Sequence, residues 1–163
     1  TYRGVLGYIL SPEPKPDEPS KDVRYALGGY VYLKDQEGLP ANAPPWGTLN
    51  SIDLASGEIV WSFPLGNFLS HPDLGYGAIN YGGPVVTASG LIFIGATPDK
   101  KFRAVDSDDG RVLWETELSA AAFSTPAIYS VEGRQFVVIS AGGGRLGPPS
   151  GSDYFAFALP EAG

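Results

Sequence analysis

The sequence predicts an all-β chain that forms part of a β-propeller. Two observations carry this. A unit with the pattern Asp-x-x-x-Gly-x-x-x-Trp occurs twice, spaced by about one propeller blade. Glycine and proline are also abundant, 22 and 15 of 163 residues, and they punctuate short apolar runs in the way that tight turns separate short strands.

The repeat comes first because it fixes the elements around it. Leu49 to Leu65 reads LNSIDLASGEIVWSFPL and Phe102 to Leu118 reads FRAVDSDDGRVLWETEL. Asp53 falls on Asp106, Gly57 on Gly110 and Trp61 on Trp114, an offset of 53 residues. Apolar alternation before the aspartate marks a strand. The carboxylate is placed to accept hydrogen bonds from the turn backbone after it. The glycine supplies the positive φ that closes the hairpin. A second strand follows, with Ile59, Trp61 and Phe63 on one face by period-2 alternation and Val112, Trp114 and Thr116 in the later copy. An indole on such an outer strand can cover the neighbouring blade, so Asp53, Asp106, Trp61 and Trp114 are assigned to structure and not to catalysis.

The remaining segments fit the same unit. Pro84–Ala88 and Leu91–Ala96 are strands split by Ser89-Gly90, and with Phe102–Asp106 and Arg111–Leu118 they make a blade of four strands, A to D. A further copy starts at Pro126, turns at Glu132-Gly133, continues as Gln135–Ala141 and ends with Tyr154–Leu159, giving A, B and C without D. Gly4–Leu10 and Ala26–Leu33 are read as possible A and B strands of the blade completed by residues 47–64. Between them SPEPKPDEPSKD is an exposed proline-rich loop. The expected organisation is thus an irregular segment over 1–45, propeller blades over 46–160 and a tail over 161–163, about three four-stranded antiparallel blades in all. Three blades do not close a ring, and an open sheet edge invites another strand. The expectation is a fragment of a larger propeller, completed by its remaining blades or by self-association. The chain does not begin with Met, so position 1 is read as a processing site or a cut.

Composition excludes several functions. A net charge of −7 with no run of Lys or Arg argues against nucleic acid. No apolar stretch approaches the ~20 residues of a transmembrane helix. With no cysteine there is neither a disulfide nor a thiolate metal site. The Gly142–Gly144 run lacks the Gly-Lys-Ser/Thr of a phosphate loop. His71, the only histidine, precedes Pro72 in a loop and is read as a surface residue, so no triad can be assembled. A site is expected where the loops before strand A and between strands B and C converge: 71–83, 97–101, 120–125 and 142–153. These loops carry Asn80, Tyr81, Asp99, Lys100, Lys101, Arg145 and Asp153, groups able to grip an anionic planar ligand or add to a hard-cation shell.

Ala104-Val105-Asp106, Gly110 and Trp114 resemble the tryptophan-docking repeat of the pyrroloquinoline quinone (PQQ) dehydrogenases. PPWGTLNSIDL (44–54), NYGGPVVTASGLIFIGAT (80–97), DKKFRAVD (99–106), STPAIYSVEGRQFVVISAGGG (124–144) and YFAFALP (154–160) resemble the C-terminal blades of the membrane-type glucose dehydrogenases. The resemblance implies a propeller that is eight-bladed in the full-length family, in a periplasmic or otherwise extracytoplasmic enzyme attached to the inner membrane through another part. It implies oxidation of an aldose or related alcohol with PQQ and a divalent cation, Ca²⁺ or Mg²⁺, and electron transfer to a quinone acceptor. By position, Asp99, Asn80, Tyr81 and Lys101 are the cofactor-binding candidates. The principal catalytic aspartate and the PQQ-contacting lysine of the family lie in earlier blades, so this chain is expected to be inactive alone. The competing reading is a non-enzymatic propeller scaffold for protein–protein interaction, as in outer-membrane assembly.

Overall fold

The computed structural model describes residues 6–12, 25–144 and 149–159, with backbone only for 6–12 and 25–31. No helix occurs among the described residues, and every ladder is antiparallel. The chain divides into two compact units, Arg3–Ala43 and Pro44–Gly163, with Thr1–Tyr2 grouped with the second. The first unit holds β1 (Leu6–Pro12) and β2 (Tyr25–Tyr32), paired in a two-stranded sheet of their own. The loop after β2 is closed by Asp35, whose Oδ1 accepts the amides of Glu37 and Leu39 at 2.9 Å each.

The second unit carries the blades. β3 (Thr48–Ile52) and β4 (Ile59–Pro64) form a two-stranded sheet. β5 (Val85–Val86), β6 (Leu91–Ile94), β7 (Lys101–Asp106) and β8 (Val112–Glu117) form a complete four-stranded sheet in sequence order. β9 (Ala127–Val131), β10 (Arg134–Gly143) and β11 (Ser150–Phe157) form a three-stranded sheet. One whole blade and a blade with strands A to C are therefore present as expected. The earliest blade differs from expectation: β3 and β4 pair only with each other, and no ladder joins β2 to β3 among the described residues.

The repeat is reproduced bond for bond at the 53-residue offset. The amides of Asp53 and Gly57 bond to Glu58 O and Asp53 O, and those of Asp106 and Gly110 bond to Arg111 O and Asp106 O. Asp53 Oδ1 accepts Ala55 N at 2.8 Å, and Asp106 Oδ1 accepts Asp108 N at 2.9 Å. Gly57 and Gly110 have φ of 75° and 76°, a region that costs a side-chain-bearing residue roughly 1–2 kcal/mol. Each hairpin also has an irregularity in the same place, after Ser51 in one and after Ala104 in the other.

The complete sheet is packed on both faces. On one, Ile92, Ile94, Ala96 and Val105 join Leu49 and Leu65, with Trp61 and Phe63 packed against them. On the other, Phe102 joins Val137, Ile139 and Ala141 of β10 and Leu118, Ala120 and Ala122 of the 118–126 connection, with Phe93 and Phe157 alongside. Trp61 ties two blades together. Its indole N–H donates to Ser107 O at 2.9 Å. Its ring lies so close to Gly110 that a Cβ there would sit 2.8 Å from Cε3. Trp114, at the same place one blade later, packs edge-on to Phe102 and Phe157 at 6.3 and 5.3 Å and remains 41% exposed.

Several strand ends differ from expectation by a few residues, and for β5 and β11 the cause is visible. β5 shrinks to Val85–Val86 because the Thr87 hydroxyl accepts the Leu91 amide at 2.9 Å and contacts Ser89 Oγ, so the turn takes up Thr87 and Ala88. β11 starts at Ser150, not Tyr154. A bulge between Ala141 and Gly143 lets the ladder run on to a Gly143–Ser150 pair, leaving a shorter connection than 142–153.

Candidate cofactor-facing loops

The strand order sends three connections to one end of the blades: 65–84 from β4 to β5, 95–100 from β6 to β7, and 118–126 from β8 to β9. Backbone bonds stitch them together. Ala96 N donates to Ala122 O, Tyr81 N to Ala96 O, Ala78 N to Leu65 O, and Leu118 N to Lys100 O, all at 2.7–2.9 Å. Gly143 N donates to Ala121 O at 2.9 Å, which brings the end of β10 to the same place. Side chains there are small because the loops approach closely: Ala78, Ala120, Ala121 and Ala122 are buried, and Gly66 lies directly against Thr97.

Within the 95–100 connection, Ala96 and Lys100 adopt φ of 67° and 62° without being glycine. Backbone held in this sparsely populated region persists only where neighbours enforce it. Asp99, between them, does the enforcing. Its Oδ1 accepts the Thr97 hydroxyl at 2.6 Å and the Lys101 amide at 3.2 Å, and its Oδ2 accepts the Asn67 amide at 3.2 Å. Arg103 completes the arrangement with a guanidinium ion pair to Asp99, and it also reaches Thr97 Oγ1 at 3.3 Å and Glu115 Oε2 at 3.6 Å. The side chains of Arg103 and Asp99 are 6% and 9% exposed.

The other candidates are more open. Lys101 is paired with Glu115 at 2.5 Å and is 40% exposed, while Lys100 pairs with Glu117 at 2.5 Å. The Lys100 ammonium holds the Glu117 carboxyl below its ordinary value of 4.5. Asn80 is half-buried, and its amide makes a long 3.4 Å bond to Ala78 O. Tyr81 sets its ring edge-on to Phe123 at 6.3 Å. Asp153 lies further along β11, accepting Ser119 Oγ at 2.5 Å, and Arg145 lies outside the described residues. The structure thus brings Asn80, Tyr81, Asp99, Lys100 and Lys101 to one end. His71 sits in the long connection with Nδ1 2.9 Å from Ser70 Oγ and joins none of them.

Sequence reasoning missed Arg103 as a member of this group. It reads as an ordinary strand residue in KFRAVD, and the available signal was an Asp and an Arg four apart at the mouth of an apolar strand. It also missed Trp46, which is buried and packs edge-on to Phe68 and Tyr76 at 5.7 and 5.9 Å, anchoring the 65–84 connection.

As a cofactor wall, the arrangement suits an anionic planar group. It offers a half-exposed ammonium at Lys101, an amide at Asn80 and an aromatic ring at Tyr81. A metal ion is different: no group of three His, Cys, Asp or Glu capable of holding one exists among the described residues. The Asp99 carboxylate is already committed to four donors of this chain.

Comparison with known proteins places the chain in a family. Residues 11–137 match the family model described as "PQQ: Glucose/ethanol/alcohol dehydrogenase, beta-propeller domain". The chain is 38% identical over 152 residues to quinoprotein glucose dehydrogenase A of Acinetobacter calcoaceticus, covering 88% of this chain and 19% of that protein. It is 37% identical over 154 residues to a probable quinate dehydrogenase (quinone) of Xanthomonas campestris pv. juglandis, again covering 88% and 19%. It is 36% identical over 171 residues to the glycerol dehydrogenase large subunit of Gluconobacter thailandicus, covering 94% and 23%. Among solved structures, a europium-containing methanol dehydrogenase aligns with a TM-score of 0.51 at 29% identity, over 65% of this chain and 16% of that one. The chain spans about a fifth of the length of the curated relatives it matches. With its blades, its Asp-Gly-Trp repeat and a family match over most of its length, the chain belongs to the β-propeller family of the PQQ-dependent glucose, ethanol and alcohol dehydrogenases.

Proposed function

We propose that this chain supplies one wall of the cofactor site in a PQQ-dependent dehydrogenase that oxidises an aldose or a related alcohol and passes electrons to a quinone. The observation that carries the reading is the convergence of the 65–84, 95–100 and 118–126 connections at one end of the blades, with the Lys101 ammonium and the Asn80 amide incompletely engaged. PQQ, when bound, supplies the two-electron acceptor. The chain's own residues bind and orient. Lys101 offers a cation to a cofactor carboxylate in exchange for the exposed Glu115. Asn80 offers an amide donor, and Tyr81 offers a ring held upright by Phe123. Asp99 sets the backbone that carries Lys101. The divalent cation, Ca²⁺ or Mg²⁺, would take its ligands elsewhere in the full polypeptide, and periplasmic placement follows from the same family reading.

The test has two arms. The full polypeptide carrying these residues, loaded with PQQ and Ca²⁺, should reduce a ubiquinone analogue with an aldose or polyol as donor. The 163-residue chain under the same conditions should not. Turnover by the chain alone would overturn the one-wall reading. A full polypeptide that takes up no PQQ would favour a scaffold.

A further inference from the structure

The geometry points to Arg103 as the positioning residue of this wall: its guanidinium locks the Asp99 carboxylate, which then fixes the backbones of Asn67 and Lys101 in place. Asp99 sits on the 95–100 connection and Asn67 on the 65–84 connection, 32 positions apart, so one carboxylate joins two loops. Its oxygens can do this only while they face Asn67 N, Lys101 N and the Thr97 hydroxyl together. A free aspartate would rotate about χ2 and lose that choice. The Arg103 fork removes the freedom, because it reaches both carboxylate oxygens and Thr97 Oγ1 from a strand packed on both faces. A planar fork specifies orientation as well as charge, and a lysine in its place would supply charge alone.

Two further features make the lock necessary. Lys100 is held at φ 62°, so the segment that delivers Lys101 is not at its own conformational minimum. The Asn67 side chain, beside the fixed amide, accepts Gly75 N at 3.1 Å and closes the long excursion between Gly66 and Gly77. The hold on Asp99 therefore reaches a loop that Arg103 does not touch. Arg103 itself is shielded by Glu115, which also receives Lys101, so the two cations and two carboxylates form one network. The role toward the cofactor rests on the reading of these loops as a PQQ wall; the lock on Asn67 and Lys101 does not.

The experiment is amide hydrogen exchange on the chain and on Arg103→Met and Arg103→Lys. In Arg103→Met, the Asn67 and Lys101 amides should exchange at least about tenfold faster, the scale of a hydrogen bond to a charged group. The Ala96 and Asp106 amides, bonded to Ala122 O and Arg111 O, should not change in proportion. Arg103→Lys should restore the melting temperature toward that of the parent without restoring protection at Asn67, which separates orientation from charge. Unchanged exchange at Asn67 and Lys101, or a uniform rise that includes Ala96 and Asp106, would overturn the proposal. In the full polypeptide, Arg103→Lys should raise the PQQ concentration for half-maximal loading by about tenfold while the apo melting temperature holds. A parent protein that takes up no PQQ would contradict the cofactor reading and leave the exchange result to decide the lock.

Discussion

Alanine at Gly57 and alanine at Gly110 introduce the same methyl group into the same turn of two successive blades, and the structure assigns them different costs. The backbone terms match, since φ is 75° at one and 76° at the other. Each substitution loses about 1–2 kcal/mol for placing a Cβ in the left-handed region. The surroundings do not match. Nothing lies within 4 Å of a Cβ at Gly57, whereas a Cβ at Gly110 meets Trp61 Cε3 at 2.8 Å and Cδ2 at 2.9 Å. The indole must move, and its hydrogen bond to Ser107 O moves with it. Overpacking of this kind costs about 1–3 kcal/mol, so Gly110→Ala should lose ~2–5 kcal/mol and Gly57→Ala only ~1–2. Urea denaturation of the two variants, followed by far-ultraviolet circular dichroism, measures the difference. A Trp61→Ala background removes the clash, and there Gly110→Ala should fall to the Gly57→Ala value. Equal costs in the parent background would refute the claim that Trp61 is seated on the next blade's turn.

Other outcomes follow from particular contacts. Phe102→Ala removes a fully buried ring shared with Phe93, Trp114 and Phe157 and should destabilise the chain by about 3–5 kcal/mol, read by the same denaturation. Lys101→Ala, by contrast, breaks only an exposed pair with Glu115 and should leave stability within about 1 kcal/mol of the parent while weakening PQQ loading of the full polypeptide. Asp53 is held below its ordinary value of 3.8, chiefly by the Ala55 amide and then by the Ser56 hydroxyl. Because its folded value is depressed, its contribution is present above pH 4 and is lost as pH falls through the folded value. Asp53→Asn should therefore lower stability at neutral pH, flatten the acid limb of the profile and converge on the parent as pH falls through the folded value.

The repeat was legible in the sequence because its chemistry is local. Asp, Gly and Trp act within one turn and two strands, and Asp53, Gly57, Asp106 and Gly110 do in the structure what their spacing implies. The ends of strands were less legible where a side chain competes with the ladder. Thr87 shortens β5 through its own hydroxyl, and a bulge after Ala141 draws Ser150 to Asp153 into β11 although GSD reads as a turn. Asp99 and Lys101 could be chosen as candidates from the loops alone. The difference between them could not, because it depends on which side of the loop each side chain occupies. Arg103 was hidden by its position in a strand, where a charged residue ordinarily points to water. The Asn67 link is invisible to any local rule, since it joins two connections through a backbone amide.

The proposed function depends most directly on which end of the blades meets the cofactor. Hydrogen exchange by mass spectrometry, comparing the full polypeptide with and without PQQ and Ca²⁺, addresses that. Protection is predicted in 78–83 and 95–101, with the Asp53–Glu58 and Asp106–Arg111 turns unchanged. Protection at those turns, with none in 78–83 and 95–101, would contradict the account.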